Sequence, residues 1–192
     1  ALGVGQGFRE RTLQVAAIRP GEKILDVGCG TGVLTRRAGE AAGSTGSAIG
    51  IDPGQDMIRV AQENAQRLGS RAEFKIAAIE QLPFGSTHFD VVLSSLMLHH
   101  LPPDLKQQGL REVYRVLKQG GRFVVVDFYQ PCNPLWWLVA WPFLLMHTTA
   151  DNFRGKLPDY FREAGFDPVQ SKGRRAGILA FWTAIKPEEK TS

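Results

Sequence analysis

A short buried strand that drops into a glycine-rich turn and re-emerges as a helix constrains this chain more than any other feature. Lys23-Ile24-Leu25-Asp26-Val27 is bounded by glycines and reads as that strand. Gly28 to Gly32 reads as a tight loop, and Val33 to Ala42 as a helix stopped at Gly43. Glycines let the backbone turn sharply and let a ligand approach the main chain with no Cβ in the way. The amides at the helix N-terminus then face the ligand. Such a loop is either a structural turn or a ligand cradle, and the rest of the chain has to decide.

The flanking segments alternate in the same manner. Phe8 to Ile18 suits a short amphipathic helix ended by Pro20-Gly21, and Ala48 to Ile51 a second strand closed by Asp52-Pro53. Gln55 to Leu68 reads as a helix with Met57, Val60, Ala61, Ala65 and Leu68 on one face. Strands are expected at Glu73 to Ile76 and Phe89 to Ser94. A helix follows over Asp104 to Lys118, with a stripe of Leu110, Val113, Tyr114 and Leu117. Gly120-Gly121 is expected to break it before the strand Arg122 to Phe128. A late helix, Leu157 to Ala164, precedes strands near Pro168 to Gln170 and Ile178 to Ile185. Strands alternating with helices imply an α/β fold, one domain over 1–192, with a largely parallel sheet covered on both faces. Ligands in such sheets bind at the carboxyl ends of the strands.

A dinucleotide cradle needs G-x-G-x-x-G. Counting from Gly28, the third glycine should stand at position 33, where the chain has Val33, so that reading fails. Asp26-Val27-Gly28-Cys29-Gly30-Thr31-Gly32 instead resembles the first motif of the class I S-adenosylmethionine-dependent methyltransferases. The likeness runs over roughly 19–128 and is strongest to the branch of quinone-biosynthesis and small-molecule enzymes. It implies a Rossmann-like methyltransferase fold with a mostly parallel seven-stranded sheet, helices on both faces and an antiparallel C-terminal strand.

The resemblance also implies roles. The glycine loop would pack on the methionine part of S-adenosylmethionine, with Asp26 holding its ammonium group. Asp52, followed by Pro53, matches the acid that accepts from both ribose hydroxyls, a task suited to two carboxylate oxygens. Met57 would lie near the adenine. Ala78-Ile79-Glu80-Gln81-Leu82-Pro83-Phe84 is similar to the third motif, with Ala78 in place of the usual aspartate. Adenine recognition is therefore expected from the backbone around Ile79. Ser94 and Ser95 would sit beneath the transferring methyl, and S-adenosylhomocysteine would be the product.

Methyl transfer is an in-line displacement for which the protein supplies positioning, desolvation and sometimes a base. His99 and His100 follow the fourth strand and can accept a proton near neutrality, although the pair also suits simple packing. Tyr129 and Asp127 are second candidates to orient an acceptor. No metal is expected, since His88, His99, His100 and His147 form no ligand set with carboxylates or cysteines.

The segment 131–153 is unusual. Leu135 to Met146 is almost wholly apolar and holds Trp136, Trp137, Trp141 and Phe143. A bilayer span needs about 20 such residues, and this run is shorter and contains Pro142. It is expected to act as a lid over an apolar acceptor pocket, ahead of a core-packing role and an interfacial anchor. The short N-terminal segment leaves little else to cover the pocket. The implied partner is a small-molecule or lipid-like acceptor, with peripheral membrane contact left open.

Composition narrows the setting. A net charge of +4 with scattered basic residues gives no nucleic-acid stripe. Two cysteines, Cys29 and Cys132, make no disulfide framework, so a cytoplasmic location is expected. The chain begins at Ala1 rather than Met, and a trimmed N-terminus is left open. A quinone or phospholipid enzyme at the membrane surface, and a non-catalytic module binding S-adenosylmethionine or S-adenosylhomocysteine, stand as alternatives.

Overall fold

Ile24, Leu25 and Val27 alternate between the faces of one strand, yet all are fully buried, so β1 (Lys23–Val27) is covered on both sides. The computed structural model describes residues 2–188. In chain order the elements are α1 (Leu2–Ala16), β1, α2 (Val33–Ala42), β2 (Ser47–Asp52), α3 (Gln55–Arg67), β3 (Glu73–Ile76) and β4 (Phe89–Ser95). Then come α4 (Pro103–Val116), β5 (Leu117–Phe128), α5 (Pro134–Ala140), α6 (Ala150–Phe153), α7 (Leu157–Glu163), β6 (Val169–Arg175) and β7 (Leu179–Ile185). Short 3-10 segments lie at Leu98–His100 and Trp141–Leu145.

The seven strands form one sheet in the order β3-β2-β1-β4-β5-β7-β6. Pairings from β3 to β5 are parallel, while β7 runs antiparallel to both β5 and β6. Strand order reverses between β1 and β4, which opens a crevice at their carboxyl ends.

Period-two alternation sorts the core into two layers. Ile24, Val91, Leu93 and Val124 pack with Ala16, Leu34 and Ala38, under α1 and α2. Leu25, Val27, Val92, Phe123 and Val125 pack with Leu110, Val113 and Phe161, under α4 and α7. Arg122 fixes the end of α1, donating to the Ala16 carbonyl at 2.6 Å and pairing with Glu22 at 2.7 Å.

Three local expectations are corrected. The stripe of α3 that is buried is Ile58, Ala61 and Ala65, while Met57 and Leu68 are exposed. Helix α4 ends at Val116 rather than Lys118, because Leu117 is already paired with Phe89 as the start of β5. Gly120-Gly121 therefore does not separate helix from strand. The pair sits inside β5 at a register shift, where Gly120 takes a positive φ of +71°. Helix α1 also begins earlier than expected, at Leu2.

Candidate active site

The loop after β1 is held by its own backbone. The Gly28 and Cys29 amides both donate to the Ile51 carbonyl at 2.9 Å, which bolts the turn to the end of β2. Gly32 enters α2 with φ +76°, and a Cβ there would stand 2.5 Å from the Phe74 ring and 3.0 Å from Ala61. No other residue type fits that position without strain. Gly28, at φ +72°, is closed in the same way by the Met97 side chain.

Two carboxylates flank the loop and differ sharply. Asp26 is 1% exposed and accepts from the Thr35 hydroxyl at 2.6 Å. Burial first, and then the charge of Asp52, push its pKa up to about 7, against the opposing pull of Thr35. Asp52 lies half-buried at the end of β2. It accepts from the Gly30 amide at 3.0 Å through Oδ2 and from the Gly54 amide at 2.8 Å through Oδ1. One side chain thus ties the glycine loop to the entrance of α3. The Cys29 thiol is pushed up by burial and by both carboxylates, so it stays protonated and inert.

A cavity of about 560 Å³ opens over this arrangement at the β1/β4 crevice, within the range of small-molecule sites. Asp26, Gly28, Cys29, Gly30 and Thr31 line one wall, and Asp52, Pro53 and Met57 the next. Ala78, Ile79 and Glu80 form a third wall. That set has the chemistry for an amino-acid cation, a diol and a flat heterocycle in sequence. Residues 24–121 match the family model described as a methyltransferase domain.

The chain belongs to this methyltransferase family. Its relatives include the ubiquinone/menaquinone biosynthesis C-methyltransferase UbiE of Ectopseudomonas mendocina, 31% identical, with 96% of this chain and 80% of the relative aligned. The enzyme of the same name from Laribacter hongkongensis is 31% identical over 96% of this chain and 83% of its own. Among solved structures, an S-adenosylmethionine-dependent methyltransferase from Aquifex aeolicus superposes with a TM-score of 0.73 at 18% identity, covering 93% of this chain and 89% of that one. The chain is therefore an S-adenosylmethionine-dependent methyltransferase. The cavity fits that cofactor: Gly30 has open space where a Cβ would stand, and Asp52 lies at the wall with a carboxylate.

The methyltransferase cavity is also lined by the apolar Phe8, Met97, Leu101 and Leu105, with Arg9, Ser95 and His100 as further polar groups. Ser94 is not among them. It is fully buried, and its hydroxyl has no hydrogen-bond partner. The reason is strand alternation: Ser94 shares its face with Val92, whereas Ser95 shares the face of Leu93 and Asp26. Gly32 also lies off the lining, spent on the contact with α3.

The histidine pair divides. His99 is buried, and its Nδ1 lies 2.7 Å from Oδ1 of the fully buried Asp127, which also accepts from the Phe128 amide. His100 reaches the cavity, and burial followed by the charge of His99 lowers its pKa from the ordinary 6.5. Tyr129 points elsewhere, donating to the Gly155 carbonyl at 3.3 Å and packing edge-on against Trp182.

The four aromatic residues expected to form a lid do not line the cavity. Trp136 packs on Gly177, Phe143 stacks on Phe153 at 5.5 Å, Trp137 is half-buried and Trp141 is 58% exposed. The segment after β5 is drawn toward the β6–β7 turn, and α1 flanks the cavity instead. Phe8 and Arg9 were therefore missed, as was Lys106. This lysine of α4 is fully buried and donates to Asn152 Oδ1 at 2.8 Å and to the Thr148 carbonyl at 3.3 Å. Its charge looks solvated in the sequence, and only the return of α6 covers it.

Proposed function

We propose that this methyltransferase acts on a small apolar acceptor, with the ring carbon of a quinone-type substrate as the favoured site. The observation that carries the reading is the mixed lining of one cavity: paired carboxylates and glycines together with the apolar Phe8, Met97, Leu101 and Leu105. The names of the relatives, which act in ubiquinone and menaquinone biosynthesis, favour carbon as the acceptor atom.

S-adenosylmethionine supplies an electrophilic methyl group when bound. On the protein side, Asp26 holds the cofactor's ammonium and Asp52 its ribose hydroxyls, while the backbone near Ile79, with Glu80, frames the adenine. The apolar wall orients the acceptor and excludes water, so that the two reactants meet in line. An acceptor carbon that gains a methyl must shed a proton. His100, held neutral around pH 7, takes that proton on an unprotonated ring nitrogen. The bond to Asp127 leaves the neighbouring His99 fixed as the packing partner of His100, their ring centroids 4.0 Å apart.

The test is transfer of labelled methyl from S-adenosylmethionine to demethylated quinones, with catechol and thiol acceptors alongside. Methylation of the quinone ring is expected, with His100→Gln lowering kcat by about 10²-fold or more and wild-type activity falling at acid pH with a midpoint below 6.5. Transfer only to the thiol or catechol would overturn the acceptor assignment. A His100→Gln enzyme of full kcat would remove the base.

A further inference from the structure

The chain after β5 presents an apolar surface that its own core does not use. Leu135, Leu138 and Leu145 are 70%, 71% and 78% exposed, and Trp141 and Met146 are 58% and 50% exposed. Single exposed apolar residues are ordinary, but a cluster confined to one short segment marks a contact surface.

One flank, the β6–β7 turn, carries one sign of charge, while the other holds Asp151 beside Arg154 and Lys156. The segment leaves β5 at the carboxyl edge of the sheet. Strand β6 ends and β7 begins at that same edge, because β7 is antiparallel to both. Backbone bonds join the two regions: the Cys132 amide donates to the Gly177 carbonyl at 3.1 Å, and Tyr129 to that of Ile178 at 2.8 Å. Beside this joint, the exposed Arg174 donates to the Gln130 carbonyl at 2.9 Å, and the exposed Arg175 rests on Gly7 of α1. Arg11 of α1 donates to the Lys172 carbonyl at 3.1 Å. No aspartate or glutamate occurs from 168 to 187. Helix α1 then connects this basic edge to the cavity, since Phe8 and Arg9 line it.

We propose that this face seats on an anionic lipid bilayer. Leu138, Trp141 and Leu145 enter the boundary between headgroups and acyl chains, where an indole suits both sides. Lys172, Arg174 and Arg175 meet the lipid phosphates. The cavity opens at the same edge of the sheet, so docking holds it against the phase in which an apolar acceptor dissolves. The segment lies on the membrane and does not cross it: twelve residues from Leu135 to Met146 extend about 18 Å as helix against a hydrocarbon core of about 30 Å. No helix among the described residues is long and apolar enough to span. A second copy of the chain is a poorer occupant, because a two-fold contact would bring the same basic edge toward itself.

Lipid docking deepens the apolar-acceptor reading and is read without any methyl transfer, so the two fail separately. The experiment is co-sedimentation of the whole protein with phosphatidylcholine vesicles, with and without phosphatidylglycerol. Binding to the anionic vesicles only is expected, weakening steeply as salt rises from about 0.1 to about 0.5 M. Arg174→Gln and Arg175→Gln should each weaken it about fivefold. Leu138→Glu and Leu145→Glu should abolish it, while thermal melting and affinity for S-adenosylmethionine stay at wild-type values. Absence of binding to either vesicle overturns the proposal. So does undiminished binding by Leu145→Glu, or a lipid-free dimer that this substitution splits.

Discussion

The β1/β2 end and the β5/β7 end of the same sheet edge are built on opposite terms. At the first, Gly32 is wedged against Phe74 and Ala61, Asp52 is committed to two backbone amides, and Asp26 is sealed in with Thr35. At the second, leucines and a tryptophan stand in solvent with few partners. The first end has geometry fixed before any ligand arrives, and the second has surface waiting for one. A cofactor common to a whole family demands the former. A surface that meets a fluid lipid phase needs no such fixed geometry.

The sharpest way to break this comparison is at Gly32. Gly32→Ala puts a methyl into the Phe74 ring at a backbone angle that L-residues avoid. The left-handed conformation costs about 1–2 kcal/mol and the overpacking about 1–3 kcal/mol, so a loss of roughly 2–5 kcal/mol is expected in denaturant unfolding. A wild-type midpoint would mean that the loop is not preformed.

Asp52→Ala comes next. Removing a carboxylate that satisfies the Gly30 and Gly54 amides should weaken S-adenosylmethionine binding by roughly 1–3 kcal/mol, read by calorimetric titration. Unchanged affinity would take the ribose away from Asp52 and leave it as a loop clamp only.

That ambiguity shows where the sequence is legible. Asp26, the glycines and Asp52 lie on short stretches that resemble the motifs of a known family, so the loop and its carboxylates can be read from that resemblance before any fold is known. The Ser94 expectation failed by one residue, since alternation on a strand sends neighbours to opposite faces. Phe8, Arg9 and Lys106 depend on contacts across the whole fold, from α1 to the cavity and from α4 to α6. No local pattern distinguishes a lysine under a returning helix from one in water. The apolar run 135–146 was visible as a surface problem, but its direction was not. Trp136 on Gly177 decides it, and those residues are far apart in sequence.

Asp26 offers an effect with a definite sign. Its folded pKa stands near 7, raised above the ordinary 3.8, so the unfolded chain gives up this proton first. The group's contribution to stability is full at low pH and is lost as pH rises from about 4 through about 7, the reverse of a salt-bridged carboxylate. Cofactor binding should run the other way, because only the ionised form attracts an ammonium. Affinity should therefore fall by up to about tenfold per pH unit below 7. Asp26→Asn should flatten both profiles, weakening binding at pH 8 while raising the melting temperature of the ligand-free protein there. A mutant with the wild-type pH dependence of affinity would assign the titration to another group.

The smallest expected effect lies at the other end. Leu135→Ser removes a side chain that is 70% exposed in solvent, and substitutions at such positions usually change stability by less than about 0.5 kcal/mol. A urea midpoint equal to that of the wild type would confirm that the apolar face is uncovered in the free protein, and therefore available to a lipid surface. A loss of more than about 1 kcal/mol, well outside that surface range, would mean that something already covers Leu135 in solution. In that case the two ends of the sheet edge would be equally preorganised, and the contrast between a fixed cofactor cradle and an open lipid-facing surface would not hold.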